Sequence, residues 1–462
     1  MLITLTVMRV FSPRAPRLSG QHAARKNASA PCDCVRRSCC LVLRAGLFSP
    51  SAMVRIHASQ ARMKRRGRLR AWIPAGFAKR NTGLGGLFRA ALLAASLTLA
   101  GCATINREPF NERQQAEAAI PGMPQARFWA DAPGAARLMA PAFSGADGER
   151  SLLALSGGSD NGAYGAGLLG GWTKAGTRPE FAVVTGVSTG ALIAPFAFLG
   201  PDQDAALEKV FTGTSAKDIY KNRFPLVIPF SPSIASTKPL ARLIGTALTD
   251  ALIDRIAAEH ARGRRLFVGT ANLDAQRMVI WNMGAIAASK APGRYALFRQ
   301  VLLASSAIPA FFPPVMIRAE AGGRVISEMH VDGGTTAQIL TLPDEAIVAG
   351  AVPAAARPMH IYMIVNNKLN GEFKLVKPRT VPIASQAISL NMRRSMASTV
   401  GLSYLYAKAH GIDFNLSFID KAYPANDKNL FDTAFMQALF AYGRKLGETG
   451  TFWAKRPPDE DE

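Results

Sequence analysis

Two short apolar runs, Leu152-Leu153-Ala154-Leu155 and residues 181–185, each stop at a glycine-bearing turn and give way to a helix-forming stretch. A buried strand that passes through a tight turn into a helix, and does so again about thirty residues later, leaves few folds open. Residues 163–175 read as the helix between the two strands, and residues 191–199 as the helix after them, with Pro195 as a kink. Further on, residues 240–260 read as one helix opened by Pro239. Residues 265–270 and 278–283 read as strands. Residues 295–305 read as a helix that stops before Pro309 and Pro313-Pro314. A strand at 325–331 runs into Asp332-Gly333-Gly334. After it come a strand at 359–365, a long helix at 383–409, a strand at 412–418 and a helix at 431–446. Strands alternating with helices predict an α/β fold with a mostly parallel sheet covered by helices on both faces.

The formal net charge of +23 would favour nucleic acid or an anionic membrane if it were spread over the fold. It is not. Residues 1–101 hold 18 of the 55 basic side chains and one acid, Asp33, leaving 37 basic and 31 acidic residues for the rest. Nucleic acid is therefore not expected as a partner, because binding it takes a basic face on the folded body. Cysteine is divided the same way: Cys32, Cys34, Cys39 and Cys40, then Cys102, then none. The body needs no disulfides. Neither a metal nor an organic cofactor is expected, since the early cysteines are tightly spaced and no ligand cluster follows Cys102.

Met63-Lys64-Arg65-Arg66 opens a basic stretch, and after Arg89 comes the apolar run AALLAASLTLA at 90–100, then Gly101-Cys102. A positive region, a short apolar core and small residues describe a secretory signal. The run is too short to span a bilayer as a helix. Leu99-Ala100-Gly101-Cys102 resembles the bacterial lipoprotein box, in which the cysteine is lipidated. With Ala103 and Thr104 after it, the resemblance implies a cell-envelope protein, held at the outer membrane and facing the periplasm. Residues 1–62 show no steady periodicity, and we expect a start at Met63 with the upstream part either not a real domain or disordered. The expected division is thus a signal at 63–101, a proline-punctuated tether at 102–149, a catalytic domain at 150–345 and an α/β extension at 346–462.

Three motifs carry chemistry. The first, SGGSDNGAYGAG at 156–167, follows a strand and opens a helix, so its backbone amides can converge on an anion. It lacks the G-K-[ST] ending of a nucleotide loop, and by itself would be a glycine-rich turn. The second is Gly186-Val187-Ser188-Thr189-Gly190, a G-x-S-x-G elbow that would present Ser188 as a nucleophile. Consecutive strand-to-helix turns of a parallel sheet share one carboxyl edge, so donors of the first loop can face Ser188. Acyl transfer requires that pairing of nucleophile and oxyanion donors. The third is Asp332-Gly333-Gly334, alone a common turn, where a carboxylate could take the proton of Ser188.

A glycine loop, the elbow about thirty residues later and a downstream D-G-G resemble the patatin-like phospholipases over roughly residues 150–345. Ala304-Ser305-Ser306-Ala307-Ile308-Pro309 and Phe312-Pro313-Pro314 look like the stretch that family carries before its D-G-[GA]. The resemblance implies a three-layer sandwich that hydrolyses acyl esters of phospholipids or other membrane lipids. It makes Ser188 the nucleophile and Asp332 the proton acceptor of a dyad without histidine. Gly157, Gly158, Ser159, Asp160, Asn161 and Gly162 would form the oxyanion loop. The family loop usually reads G-G-G-x-[RK]-G, so Ser159 stands where a glycine is usual and Asn161 where a cation is. Two alternatives stay open. A Ser–His–Asp hydrolase would use His360 or His410, which follow Asp332, and a catalytically weak lipid-binding lipoprotein would keep only the cleft.

Overall fold

The computed structural model describes residues 107–139, 150–342, 359–371, 373, 375–424 and 430–458. The signal segment, Cys102 and the stretch before Met63 lie outside the described residues, as do parts of the tether and of the extension.

Among the described residues, nine strands form one sheet. They are β1 (Arg127–Trp129), β2 (Arg150–Leu155), β3 (Val183–Val187), β4 (Arg265–Asn272) and β5 (Arg277–Asn282), followed by β6 (Val315–Ala321), β7 (Arg324–Asp332), β8 (Met359–Val365) and β9 (Asp413–Phe418). The order is β1-β5-β4-β3-β2-β8-β9, with β7 paired to both β4 and β6. Strands β4, β3, β2, β8 and β9 are parallel; the pairs involving β1, β5, β6 and β7 are antiparallel. The sequence explains the division. In β2 and β3 nearly every residue is apolar and buried, as a parallel strand covered on both faces requires. In β6 burial alternates along Val-Met-Ile-Arg-Ala-Glu-Ala, the pattern of a strand with one solvated face.

Side chains of alternate parity feed two separate cores. Leu153, Leu155, Val184, Leu266 and Val268 join a cluster with α1 (Gly162–Lys174), α2 (Thr189–Leu199), α3 (Lys238–Ala247), α4 (Asp250–Ala261), α5 (Arg294–Ser305) and α7 (Thr433–Glu448). Leu152, Ala154, Val183, Val187 and Phe267 join another with Met396, Val400 and Tyr406 of α6 (Thr380–Ala409). A sheet between two helical layers results, which is the expected three-layer architecture.

The segment expected as a single helix over 240–260 is two helices. Thr249 breaks it by accepting a hydrogen bond from the Leu252 amide through its side chain, with Asp250 opening the new first turn. Residues expected as tether also hold structure. β1 pairs with β5, and Arg127 forms a buried ion pair with Glu328 of β7, which Gln115 also contacts. Burial by itself would raise the Glu328 carboxyl, but the hydrogen bonds from His330 and Arg127 hold it down at about 2.

The chain after 345 enters the same sheet, with β8 between β2 and β9. Helix α7 lies against α1 backbone to backbone. A β-carbon on Gly167 or Gly171 would strike the carbonyls of Phe440 and Arg444, and one on Gly443 or Gly447 those of Tyr164 and Leu168. Four-residue spacing on both helices makes this close approach, and it fixes the helix that the glycine loop opens.

Candidate active site

Strand β4 aligns two of the three motifs, the elbow and D-G-G. β3 pairs with it in parallel up to Val187 opposite Gly269. On the same side β7 arrives from the other direction, ending with Asp332 opposite Thr270. The next residue after β3 is Ser188, so the elbow and the aspartate meet end to end. Ser188 Oγ donates to Asp332 Oδ2 at 2.6 Å, and both residues are buried. The other carboxylate oxygen accepts the Gly334 amide at 2.7 Å, which is how the D-G-G turn orients the group. Burial pushes the Asp332 carboxyl up to about 7, although the bonds from Ser188 and Gly334 pull the other way.

The elbow is strained. Ser188 has φ 55° and ψ −124°, an arrangement that side chains with a β-carbon rarely adopt and that costs about 1–3 kcal/mol. Its neighbours hold it there. The Ser188 amide donates to Ser305 Oγ at 2.9 Å, and Ser305 Oγ donates on to Gly269 O at 2.8 Å. Two residues later Ala307 O accepts the Asp332 amide at 2.9 Å. The 304–309 stretch thus holds both halves of the pair. Gly190 is required by packing, since a β-carbon would run into the Leu155 and Ser156 carbonyls where the glycine loop begins.

That loop lies against the serine. A β-carbon on Gly157 would come within 3.1 Å of Ser188 Cβ, and one on Gly162 would strike Thr189 Oγ1. The N-termini of α1 and α2 therefore converge at Ser188, where their dipoles favour negative charge. The loop residues do not contribute alike. The Gly157 amide is engaged by Gln338 O at 2.9 Å and the Asn161 amide by Gly158 O at 3.0 Å, so neither is a free donor. Gly158 caps the short 3-10 turn Ser159–Asn161 and Ser159 begins it, positions whose amides have no partner within a helix. Ser159, in place of a glycine, has φ 55°. The side chain of Asp160 accepts the Phe431 amide.

Sequence reading missed the residues that hold this loop. Asn366, just past β8, donates from Nδ2 to Ser156 O at 2.9 Å and from its amide to Ser156 Oγ at 2.8 Å; its Oδ1 accepts the Gly165 amide at 3.0 Å. It therefore ties the two ends of the loop together. Asn161 Nδ2 donates to Asn367 Oδ1 at 3.1 Å, so the side chain at the position of the usual cation is held by a neutral amide. Gln338 Nε2 donates to Gly334 O at 2.8 Å. The available signal was a pair of asparagines at the carboxyl end of a predicted parallel strand, the edge where the two loops emerge.

Residues 153–343 match the family model for patatin-like phospholipases. The matched segment contains the glycine loop, the elbow and Asp332, and the mostly parallel mixed sheet between helices, to which the later strands β8 and β9 also belong, is the patatin fold. No curated protein matches the chain. Among solved structures, VipD from Legionella pneumophila is similar at 12% identity, over 76% of this chain and 73% of its own, with a TM-score of 0.32. Helix Thr380–Ala409 and the asparagine pair lie beyond the patatin-like match.

The four described histidines are engaged elsewhere. His360 begins β8 and bonds Asp413 at 2.9 Å, roughly 20 Å of strand from Asn366. His410 follows α6 and packs on Tyr406. His330 is buried between Thr270 Oγ1 and Glu328. His260 lies against Gly284.

Proposed function

We propose that the protein is a serine acyl hydrolase of membrane lipids, a phospholipase, lysophospholipase or esterase. The observation that carries this reading is the 2.6 Å hydrogen bond from Ser188 Oγ to the buried Asp332 carboxylate within the patatin-like segment. Ser188 Oγ attacks the ester carbonyl carbon while its proton passes to Asp332 Oδ2. The negative charge on the carbonyl oxygen meets the Gly158 and Ser159 amides and the two converging helix N-termini. As the tetrahedral adduct collapses, the carbon–oxygen bond to the alcohol breaks and Asp332 returns the proton to the leaving oxygen. Water then gives its proton to Asp332 and attacks the acyl-serine, and Ser188 leaves as a hydroxyl with that proton. Burial favours the neutral aspartate, which makes the carboxylate a stronger base than an exposed one. In this reading lipidated Cys102 tethers the domain to the outer membrane, beside its substrate.

Hydrolysis of a short-chain chromogenic ester and a fluorogenic phospholipid tests the proposal, using the chain with Cys102→Ser. Ser188→Ala should abolish turnover and Asp332→Asn should lower it about 10²–10⁴-fold, while a His360→Ala/His410→Ala double variant should retain it. Loss in the histidine variant with its fold intact would move the protein to the Ser–His–Asp class. No turnover of either ester by the unmutated site would favour a non-catalytic cleft.

A further inference from the structure

Residues 221–236 form a flap with an apolar tip and a basic stem. Lys221 and Asn222 pair with Ser236 and Ala235 in a two-residue antiparallel ladder, and the turn between them contains the 3-10 helix Pro225–Phe230. Its large side chains face solvent: Phe224 is 68% exposed, Leu226 75% and Phe230 65%. Three such residues within seven positions form a patch that a solvated surface has no reason to keep. The base of the flap, by contrast, is fixed. The Ile234 and Ala235 amides donate to Ala310 O and Phe311 O at 3.0 and 2.9 Å, and Tyr220 packs on Phe311 with ring centroids 5.2 Å apart. Ala310 is four residues from Ser306, at most about 14 Å of chain. Ser306 Oγ lies 3.5 Å from Ser188 O.

The stretch of chain that contains the flap carries charge of one sign. Between Asp218 and Asp250 the sequence carries Lys221, Arg223, Lys238 and Arg242 and no acid. Of these Lys221, Lys238 and Arg242 are exposed. Exposed phenylalanine and leucine framed by lysine and arginine fit an interface in which the rings enter the acyl boundary and the cations meet phosphate. A second copy of this chain docking through the same patch would present the same positive charge and be repelled. We propose that this flap docks the protein onto an anionic lipid surface and brings Ser188 to it. The inference extends the lipid-hydrolase reading, which gives the surface its purpose.

The test is co-sedimentation of the full chain carrying Cys102→Ser with vesicles of phosphatidylcholine mixed with phosphatidylglycerol, and with vesicles of phosphatidylcholine alone. A Phe224→Ser/Leu226→Ser/Phe230→Ser variant should bind the mixed vesicles at least about 100-fold more weakly. Lys221→Ala/Lys238→Ala should lose about 30-fold on mixed vesicles and little on pure phosphatidylcholine, with a difference that shrinks in high salt. Circular dichroism and melting temperature check that each variant is folded. Binding unchanged in a folded triple variant would overturn the proposal. So would a variant that only loses self-association in sedimentation velocity. Turnover of a soluble ester is read on the unmutated site in parallel. Flap-dependent binding without turnover would support the docking surface while counting against the hydrolase.

Discussion

Replacing Asp332 with asparagine should cost activity and gain stability, and the gain should depend on pH. Its carboxyl is raised from 3.8 to about 7 by burial. Below about pH 4 the group is neutral in both folded and unfolded chains and contributes nothing. From about pH 4 to 7 the unfolded chain releases its proton while the folded chain keeps it. Stability therefore falls with rising pH, by about 1.4 kcal/mol per unit. Above pH 7 the full cost is about 4 kcal/mol. Asparagine is nearly isosteric and cannot ionise. It can still accept the Gly334 amide through Oδ1 and donate from Nδ2 to Ser188 Oγ. Urea unfolding at about pH 5 and pH 8 should show Asp332→Asn more stable, with the gap about 2–3 kcal/mol wider at the higher pH. On the kinetic side only the ionised carboxylate is a base. The kcat/KM of the unmutated site should rise about tenfold per unit to a plateau above pH 7, and Asp332→Asn should sit about 10²–10⁴-fold below that plateau. A stability gap that is the same at both pH values, or a rate flat across them, would mean that Asp332 is not a buried base with a raised pKa.

Asn366→Ala removes the tie between the two ends of the glycine loop, and kcat on a soluble ester should fall about tenfold or more with KM little changed; a change in KM alone would contradict it. Ser159→Gly relieves a left-handed serine worth about 1–2 kcal/mol, offset by about 0.5–1 kcal/mol of glycine entropy, so melting temperature should hold or rise and turnover persist. Glu328→Gln leaves Arg127 buried without its counter-charge and should destabilise by about 3–5 kcal/mol in urea unfolding, with ester kinetics at low denaturant unchanged.

The parts of the fold legible in the sequence are those set by neighbours along the chain. Leu152–Leu155 and residues 181–185 announce buried parallel strands because they are short and almost wholly apolar, and the glycines after each strand mark a turn where backbone meets backbone. Ser188 and Asp332 stood out through such local motifs. Their meeting depends on long-range pairing, with β4 serving as template for β3 and β7 together. Local periodicity is silent on that. The same holds for Asn366 and Asn367, whose partners lie about two hundred residues away in sequence. It holds for Arg127 too, in a stretch whose prolines and alanines read as tether while its ion pair with Glu328 holds β1. The split at Thr249 has a local signal, since threonine followed by aspartate is a helix start, but the apolar period on either side runs across it. The flap at 221–236 gave no periodic signal, because prolines interrupt its apolar residues.

In the proposed reaction Ser188 is the nucleophile that becomes acylated during turnover. The direct measurement is to treat the protein with a fluorophosphonate ester, digest it and locate the adduct by mass spectrometry, alongside Ser188→Ala and Asp332→Asn. One stoichiometric adduct is expected on Ser188, absent from Ser188→Ala and much slower to form in Asp332→Asn. An adduct on another serine, or full ester turnover by Ser188→Ala, would contradict it.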